Sequence, residues 1–460
     1  MLTTYVLDLW PLFMTGLGSA QVREDRSISR PYKFAVVASS RPLSSTLSGL
    51  LTNWYLYPFM KYYIIAGEAS GDLHGSNLIK ELKKVDPQAD IRCWGGDLME
   101  QAGGVLVKHY KDLAFMGFVE VLSNLRTIFR NLDWCKEDIA GYQPDALILI
   151  DYPGFNLRIA KWAHKQGLRV IYYISPQVWA WKENRVRQIK ECVDKMLVIL
   201  PFEKTFYQKW DYPVEYVGHP LVEVIESYKA QAAANPSGGS QSQSSSQHPF
   251  SDPRPVIALL PGSRKQEILK KLPVMLEISR YFPNYLFMVA KAPGLEDDFY
   301  THLLEQYPNV SSVRNQTYSL LLHARAACVT SGTATLETAL FGVPEVVCYK
   351  GSSISYQIAK RLIKVKYISL VNLIMDKLVV KELIQDDLTP DKLRQELDDL
   401  LNNPQRQQQL QADYARLRAL LSEGGHASAN AAREIIAFLQ ERSGQHKKGS
   451  GQHKKGSTQH

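Results

Sequence analysis

Paired cysteines are missing from this chain. Its five cysteines are odd in number and widely scattered, and no two of them are spaced as C-x-x-C. This pattern argues against a disulfide framework and against a zinc site held by cysteines. Free thiols in a reducing compartment are the simplest interpretation. A catalytic cysteine is the minor alternative, because none of the five lies in a recognisable nucleophile motif.

The usual motifs of cofactor chemistry are missing as well. G-x-G-x-x-G is absent, which argues against an ordinary dinucleotide-dependent oxidoreductase, and G-x-x-x-x-G-K-[ST] is absent, which argues against a P-loop enzyme. The acidic pairs Asp297-Asp298, Asp386-Asp387 and Asp398-Asp399 fall in helical or loop contexts and not at strand ends. We therefore expect no metal site and no cofactor.

The body of the chain also lacks a strong charge of one sign. The formal net charge is +8, of which residues 443–460 contribute +4 and residues 1–59 contribute +2, so the body carries about +2. That small excess is not the basic footprint of a nucleic-acid-binding protein. We therefore expect no nucleic-acid partner.

Neither end of the chain predicts a folded unit. Residues 1–59 begin without a basic n-region, are interrupted by Asp8 and Pro11, and offer only a weak transmembrane candidate at Pro42–Met60. We expect them to be a non-core extension, with Met60 as the start of the functional protein. Residues 443–460 contain SGQHKKG twice, without an apolar residue, which predicts a disordered tail.

What the chain does contain is an alternation of short apolar runs and helical segments. Continuous apolar strands followed by helices indicate parallel sheets that are covered on both faces. A polar linker at 230–255 divides the series. We therefore predict an α/β protein with two Rossmann-like domains, residues 60–229 and 256–442, that face a central cleft. The predicted strands are Tyr62–Ala66, Ala146–Ile150, Val170–Ile174, Met196–Ile199, Val214–Val217, Val256–Leu260, Tyr285–Val289, Ala327–Thr330 and Glu345–Tyr349.

Two strand-to-helix turns in the second half predict a nucleotide site. In LLPGSRKQEI, Gly262 and Ser263 let the backbone approach an anion, and Arg264 adds a forked donor suited to a pyrophosphate. In VTSGTATLE, the run Ser331-Gly332-Thr333 precedes a helix whose Glu337 is placed to accept ribose hydroxyls. Each turn alone is equally consistent with an ordinary capped helix start. Together they favour a nucleotide.

Acidic residues follow two strands of the first half. Glu68 lies in the turn GEASGD, and Asp151 ends the strand of LILIDYPGFN, where a ligand-facing carboxylate belongs. The alternative for Asp151 is a helix N-cap or turn residue. In SPQVWAW, Trp179 and Trp181 are either sugar-stacking residues or core residues.

The order of the motifs resembles that of the lipid-A-disaccharide synthase family. The matching runs are GEASGD, DYPGFN, SPQVWAW, LPFEKTFY, VGHPLVE, LLPGSR, SGTATLE and KRLIKVKYISLVNLI, and the resemblance covers Lys61 to about Leu439 apart from the linker. It implies a GT-B-type, inverting, metal-independent glycosyltransferase. The implied substrates are UDP-2,3-diacylglucosamine and 2,3-diacylglucosamine 1-phosphate, joined through the 6-hydroxyl of the latter with release of UDP.

The resemblance also assigns roles to site residues. Glu68, Asp151, Arg264 and Glu337 fall on positions that the family is thought to use. Asp151 is the first candidate for the base that activates the acceptor hydroxyl, a contribution of about 10²–10⁴ in rate, and Glu68 is the second. Gly154 stands where many members have a second acid, so Asp151 must act without one.

Acylated substrates imply work at a membrane. The segment Leu113–Arg130 carries more large apolar residues than one core-facing helical stripe needs. It predicts a surface that contacts acyl chains on the inner face of the cytoplasmic membrane, with anionic head groups as partners. The alternative is a helix buried on two sides. The predicted contact residues are Phe115, Met116, Phe118, Val121, Leu122 and Leu125.

Two other functions fit parts of this pattern. A UDP-sugar 2-epimerase would explain the nucleotide site without a lipid acceptor, and a non-catalytic nucleotide-sugar-binding protein would explain the fold. The combination of acidic and basic groups in the predicted cleft argues against the second. The oligomeric state is left open.

Overall fold

A computed structural model describes residues 60–113, 125–234, 250, 252–292, 294–351 and 365–449, which form two parallel sheets with their helices. The strands of the first sheet are β1 (Lys61–Ala66), β2 (Asp90–Gly95), β3 (Val105–His109), β4 (Ala146–Ile150), β5 (Val170–Tyr173), β6 (Lys195–Val198) and β7 (Glu215–Tyr216). Its helices are α1 (Ala69–Val85), α2 (Asp97–Gln101), α3 (Leu125–Tyr142), α4 (Pro153–Lys165), α5 (Val178–Trp181), α6 (Arg185–Cys192) and α7 (Pro201–Gln208), with a 3₁₀ turn at Tyr110–Leu113.

The helix α8 (Pro220–Ala234) leads to the second sheet. Its strands are β8 (Val256–Leu260), β9 (Leu286–Lys291), β10 (Val310–Arg314), β11 (Ala324–Thr330), β12 (Glu345–Tyr349) and β13 (Lys381–Ile384). The accompanying helices are α9 (Lys265–Glu277), α10 (Asp297–Leu304), α11 (Thr317–His323), α12 (Thr333–Phe341), α13 (Leu370–Met375), α14 (Pro390–Asn402), α15 (Pro404–Ser422) and α16 (Ala427–Gly449). Short 3₁₀ turns lie at Ile278–Tyr281 and Gln385–Asp387.

Both sheets reverse their strand order at one point. The first has the order β3-β2-β1-β4-β5-β6-β7 and the second β10-β9-β8-β11-β12-β13, and every pairing is parallel. The central strands are buried on both faces because helices cover both, which is why they are continuous apolar runs. In such sheets ligands bind outside the carboxyl ends of the strands where the order reverses. The two points of reversal, called switch points below, lie between β1 and β4 and between β8 and β11.

Two helices exchange between the sheets. Leu221 and Ile225 of α8 belong to the core of the second domain, whereas Ile435 and Leu439 of α16 belong to the core of the first. The chain thus crosses between the domains twice, and the predicted division at 229 and 442 separates the sheets but not these helices. α16 also continues through Ser443–Gly449, the first copy of the repeat for which a disordered tail is predicted.

The two crossings touch through glycines. A Cβ on Gly424 would lie 2.4 Å from the Cα of Gly218, and a Cβ on Gly218 would lie 2.9 Å from the carbonyl oxygen of Gly425. Gly218 also has a φ of +94°, in the left-handed region that favours glycine. Asn430 connects the two crossing segments, because its Nδ2 donates a hydrogen bond to the carbonyl of Val217 at 3.1 Å.

The structure places the predicted strands close to their expected bounds and adds four more. Ala146–Ile150, Val256–Leu260 and Glu345–Tyr349 are observed as predicted, and β5 ends one residue early, before Ile174 with its φ of +66°. The additional strands are β2, β3, β10 and β13. Three of these four are edge strands, where a face is half exposed and the apolar run is broken.

The packing of α16 on the first domain predicts a strong position effect. Ile435→Asp should unfold the first domain, because it places an unpaired carboxylate in a fully buried site. Ala437→Asp, two residues later on an exposed face of the same helix, is the matched control and should leave the melting temperature within a few degrees. Circular dichroism melts measure both. Equal stability of the two variants would contradict the packing of α16 on the first domain.

Candidate active site

The fold brings the predicted site residues to the two switch points. In the first domain, Glu68 follows β1 and Asp151 follows β4, and these strands are neighbours. In the second domain, Gly262–Arg264 follow β8 and Ser331–Thr333 follow β11, again neighbours. The sequence motifs alone could not show this adjacency, because each pair is separated by more than sixty residues.

Asp151 lies in a turn that non-glycine residues rarely adopt. Asp151 and Tyr152 have φ angles of +43° and +49°, so two consecutive side chains occupy the left-handed region. The carbonyl oxygen of Asp151 accepts hydrogen bonds from Nδ2 of Asn156 at 2.8 Å and from the hydroxyl of Tyr172 at 2.5 Å. Asn156 is fully buried and also donates to the carbonyl of Ile150 at 3.2 Å. These donors hold the backbone of the turn.

The start of α1 is fitted against the same turn. A Cβ on Gly67 would lie 2.3 Å from the Tyr152 ring, so only glycine permits this approach. Glu68 is exposed at the N-cap of α1. Burial, and then the negative charge of Glu68, raise the pKa of Asp151 to about 7. A carboxyl group with that pKa is suited to accept a proton near neutral pH.

Two motif residues of the first domain have structural roles instead. Asp72 of GEASGD is buried and accepts hydrogen bonds from the backbone N–H groups of Gly96 and Met99 at the start of α2. Trp179 is buried, donates to Oε1 of Glu203 at 3.3 Å and packs edge-on against Phe202. Of the two interpretations left open for Trp179, the core residue is the one observed.

The turn after β8 is built around glycine and a guanidinium group. Gly262 has a φ of +109°, and Arg264 is the residue before α9. Arg264 Nη1 lies 3.3 Å from Oε1 of Glu267, an ion pair that orients the guanidinium beside the turn.

The turn after β11 is tied to a more distant segment. Ser331 donates to the carbonyl of Ile368 at 3.0 Å, and Gly332 has a φ of +137° before α12 begins at Thr333. Glu337 accepts a hydrogen bond from the hydroxyl of Tyr318 at 2.9 Å. Burial raises the pKa of Glu337, while the Tyr318 hydrogen bond opposes that shift. One carboxylate oxygen is thereby held by the protein.

Sequence reasoning missed the groups that hold the site residues in place. Asn156 stands inside the DYPGFN motif, where the sequence does not mark its amide as a donor to the turn. An aromatic residue such as Tyr172 or Tyr318 gives no signal of the hydrogen bond that its hydroxyl makes. Gln177, the residue before α5, has a buried Oε1 with no hydrogen-bond partner among the described residues.

Most of the predicted membrane-contact residues lie outside the residues that the structure describes. Phe115, Met116, Phe118, Val121 and Leu122 lie outside them, and of Leu125 only the backbone, at the start of α3, is described. Within the described ranges, no helix is long and apolar enough to span a membrane, and no cluster of His, Cys, Asp and Glu is arranged to hold a metal ion. The five cysteines are free and buried.

The burial of Asp151 has a consequence for stability. Its pKa is about 7 in the folded protein and 3.8 when unperturbed, so the unfolded chain loses this proton first as the pH rises. The cost of ionising the buried carboxyl therefore builds up between about pH 4 and pH 7 and stays above that range. Asp151→Asn should raise the melting temperature at pH 8 and have no such effect at pH 4. Exposed Asp298→Asn is the control. A lower melting temperature at pH 8 would show that the carboxylate makes a stabilising contact.

Comparisons with known proteins identify the family of the chain. A family model described as lipid-A-disaccharide synthetase matches residues 62–436. A lipid-A-disaccharide synthase from Geobacter metallireducens is 40% identical over 373 residues, which are 80% of this chain and 94% of that protein.

Solved structures resemble the chain in fold. A UDP-GlcNAc 2-epimerase from Neisseria meningitidis aligns with a TM-score of 0.55 at 13% identity, covering 83% of this chain and 100% of that one. A glycosyltransferase of kitacinnamycin aligns with a TM-score of 0.55 at 14% identity, covering 83% and 99%. The predicted fold, two Rossmann-like domains that face a central cleft, is confirmed. With a family model over most of its length and a curated relative at 40% identity, the chain belongs to the lipid-A-disaccharide synthetase family.

Proposed function

We propose that this protein condenses UDP-2,3-diacylglucosamine with 2,3-diacylglucosamine 1-phosphate to give lipid A disaccharide 1-phosphate and UDP. Family membership over residues 62–436 is the observation that carries this proposal. The two switch points support it, because one offers a carboxyl group and the other a guanidinium beside a glycine turn. A glycosyl transfer needs a base for the acceptor and a positive site for the leaving diphosphate.

In the proposed reaction the acceptor 6-hydroxyl attacks the anomeric carbon of the donor sugar. The hydroxyl proton passes to Asp151 as the new C–O bond forms, and the bond to the UDP oxygen breaks with its electron pair on the β-phosphate. Attack from the side opposite UDP inverts the anomeric centre. A base with a pKa of about 7 is unprotonated in about half of the molecules at neutral pH and is still basic enough to help.

The leaving UDP is assigned to the second domain. Gly262 and Ser263 let phosphate oxygens approach the backbone, and Arg264 supplies a forked donor. Ser331, Gly332 and Thr333 form the second half of this cradle at the start of α12. Glu337 would accept ribose hydroxyls with the carboxylate oxygen that Tyr318 leaves free.

A UDP-sugar 2-epimerase is the competing function in the same fold. The likeness to the Neisseria meningitidis epimerase is at 13% identity and concerns the fold alone. Incubating the protein with UDP-diacylglucosamine, with and without the lipid acceptor, separates the two functions. The proposed transferase releases UDP and disaccharide together and only with acceptor. An epimerised sugar formed without acceptor would overturn the proposal.

The repulsion between Glu68 and Asp151 predicts a shift in the pH dependence of kcat/KM when Glu68 is neutralised. The acid limb of kcat/KM should lie near pH 7 in the wild type, because Asp151 must be ionised to act as base. Glu68→Gln removes a negative charge that raises the pKa of Asp151, so the limb should move to lower pH. Asp151→Asn should keep UDP binding and lose turnover by about 10²–10⁴. Near-normal turnover of Asp151→Asn, with a large loss in Glu68→Gln, would make Glu68 the base.

We also propose that the protein binds membrane surfaces reversibly. On α3, directly after the predicted contact segment, Phe129 has 46% of its surface exposed, and Arg126 and Arg130 are exposed beside it, while Ile128 and Leu132 face the core. An exposed aromatic residue between two cations is the pattern of a helix that meets anionic head groups.

Vesicle binding tests this surface. Phe129→Ser combined with Arg126→Gln and Arg130→Gln should reduce co-sedimentation with phosphatidylglycerol vesicles while UDP binding is unchanged, and added salt should weaken binding of the wild type. The control is Leu269→Ser, since Leu269 is equally exposed, at 47%, but lies in the second domain. Equal vesicle binding by wild type and the triple variant would place the membrane contact elsewhere.

A further inference from the structure

A buried lysine lies beneath the glycine turn of the second domain. Lys271 belongs to α9, two turns after Arg264, and only 2% of its surface is exposed. Its ammonium group donates to Oγ1 of Thr330, the last residue of β11. A Cβ on Gly262 would lie 3.6 Å from the same ammonium group. The cation therefore sits between the loops that leave the switch point of this domain.

Glu267 is shared between this lysine and the arginine of the turn. Its Oε2 lies 3.5 Å from Nζ of Lys271, and its Oε1 lies 3.3 Å from Nη1 of Arg264. Without Lys271, the charges of Arg264 and Glu267 would cancel. The carboxylate of Glu267 would then face a diphosphate bound above Gly262, because its Oε2 lies 3.1 Å from the position that a Cβ on Gly262 would occupy. With Lys271 the three groups carry a net charge of +1.

Packing alone does not explain a lysine here. Burial lowers the pKa of the Lys271 ammonium, and the charge of Glu267 opposes that shift. Burying a charge is costly, and an apolar side chain of similar volume commonly stabilises a fold as well or better. Ile268, Leu272 and Met275 of the same helix are fully buried, so an apolar residue at position 271 would be consistent with the buried face of α9.

We propose that Lys271 is a positioning residue for the donor diphosphate. It neutralises Glu267 from inside the protein, so that Glu267 can orient Arg264 without repelling the phosphates. The guanidinium charge of Arg264 is thereby left for the ligand. This inference rests on the proposed function, since it assumes that UDP occupies the turn after β8.

Calorimetric titration with two probes, UDP and uridine, tests the charge argument. Lys271→Met keeps the length of the side chain and removes the charge. It should weaken UDP binding roughly 10- to 100-fold, because the charge of Glu267 is left uncompensated beside the diphosphate, and leave uridine binding unchanged. Lys270→Met, the exposed neighbour on the same helix, is the control and should change neither affinity.

A second substitution separates charge from structure. Adding Glu267→Gln to Lys271→Met removes the carboxylate that the lysine neutralised, so most of the lost UDP affinity should return. A purely structural lysine would show no such rescue. Unchanged UDP affinity in Lys271→Met, equal losses for UDP and uridine, or no recovery in the double variant would each overturn the inference. Failure of the wild-type protein to bind UDP would instead overturn the proposed function.

Discussion

The arrangement of the two switch points, which together form the candidate site, depends on the contact of Gly218 with Gly424 and Gly425. The chain passes between the domains at both places, and the backbones approach so closely that a Cβ on either side would collide. Asn430 fixes the contact by binding the carbonyl of Val217. Because α8 and α16 leave this crossing into opposite domains, each core is completed by a helix from beyond the crossing. The carboxyl group of one switch point and the cations of the other are thus held in relation by backbone and not by side-chain contacts alone.

The conformation and desolvation of Asp151 are locally unfavourable in free energy. Two consecutive left-handed residues and a desolvated, half-buried carboxyl group are each unfavourable, and they persist only where surrounding contacts determine them. Those contacts are the amide of Asn156 and the hydroxyl of Tyr172, both buried, together with the absence of a side chain on Gly67. A helix N-cap would need none of these, since an N-cap carboxylate is stabilised by backbone N–H groups and has a lowered pKa. Tyr152, and not Asp151, is the N-cap residue of α4, so Asp151 does not fill the capping position that the sequence leaves open.

Sequence reasoning was most successful where burial is symmetric. β4, β8 and β12 are apolar throughout because both faces are covered, and their bounds could be predicted. β3, β10 and β13 lie at sheet edges, where the apolar run is interrupted, and they were missed. The motif residues at both switch points were found because glycine and charge after a strand are visible in sequence. The roles of Asn156, Tyr172 and Lys271 cannot be predicted in this way. Each acts through a contact with a residue 5 to 91 positions away in the chain, and the sequence pattern does not show such contacts.

The charges of the two switch points differ in sign, and under the proposed function this difference would orient a nucleotide-sugar donor. The first switch point presents Glu68 and Asp151, which would repel a diphosphate. The second presents Arg264, Glu267 and Lys271 with a net positive charge. Coulomb energies between groups a few ångströms apart are several times larger in a partly desolvated cleft than in water. Under the proposed function, a UDP-sugar would therefore enter with its phosphates on the second domain and its sugar toward the first. That orientation would leave the anomeric carbon facing the domain that carries Asp151, the proposed base, as an attack opposite the leaving group requires.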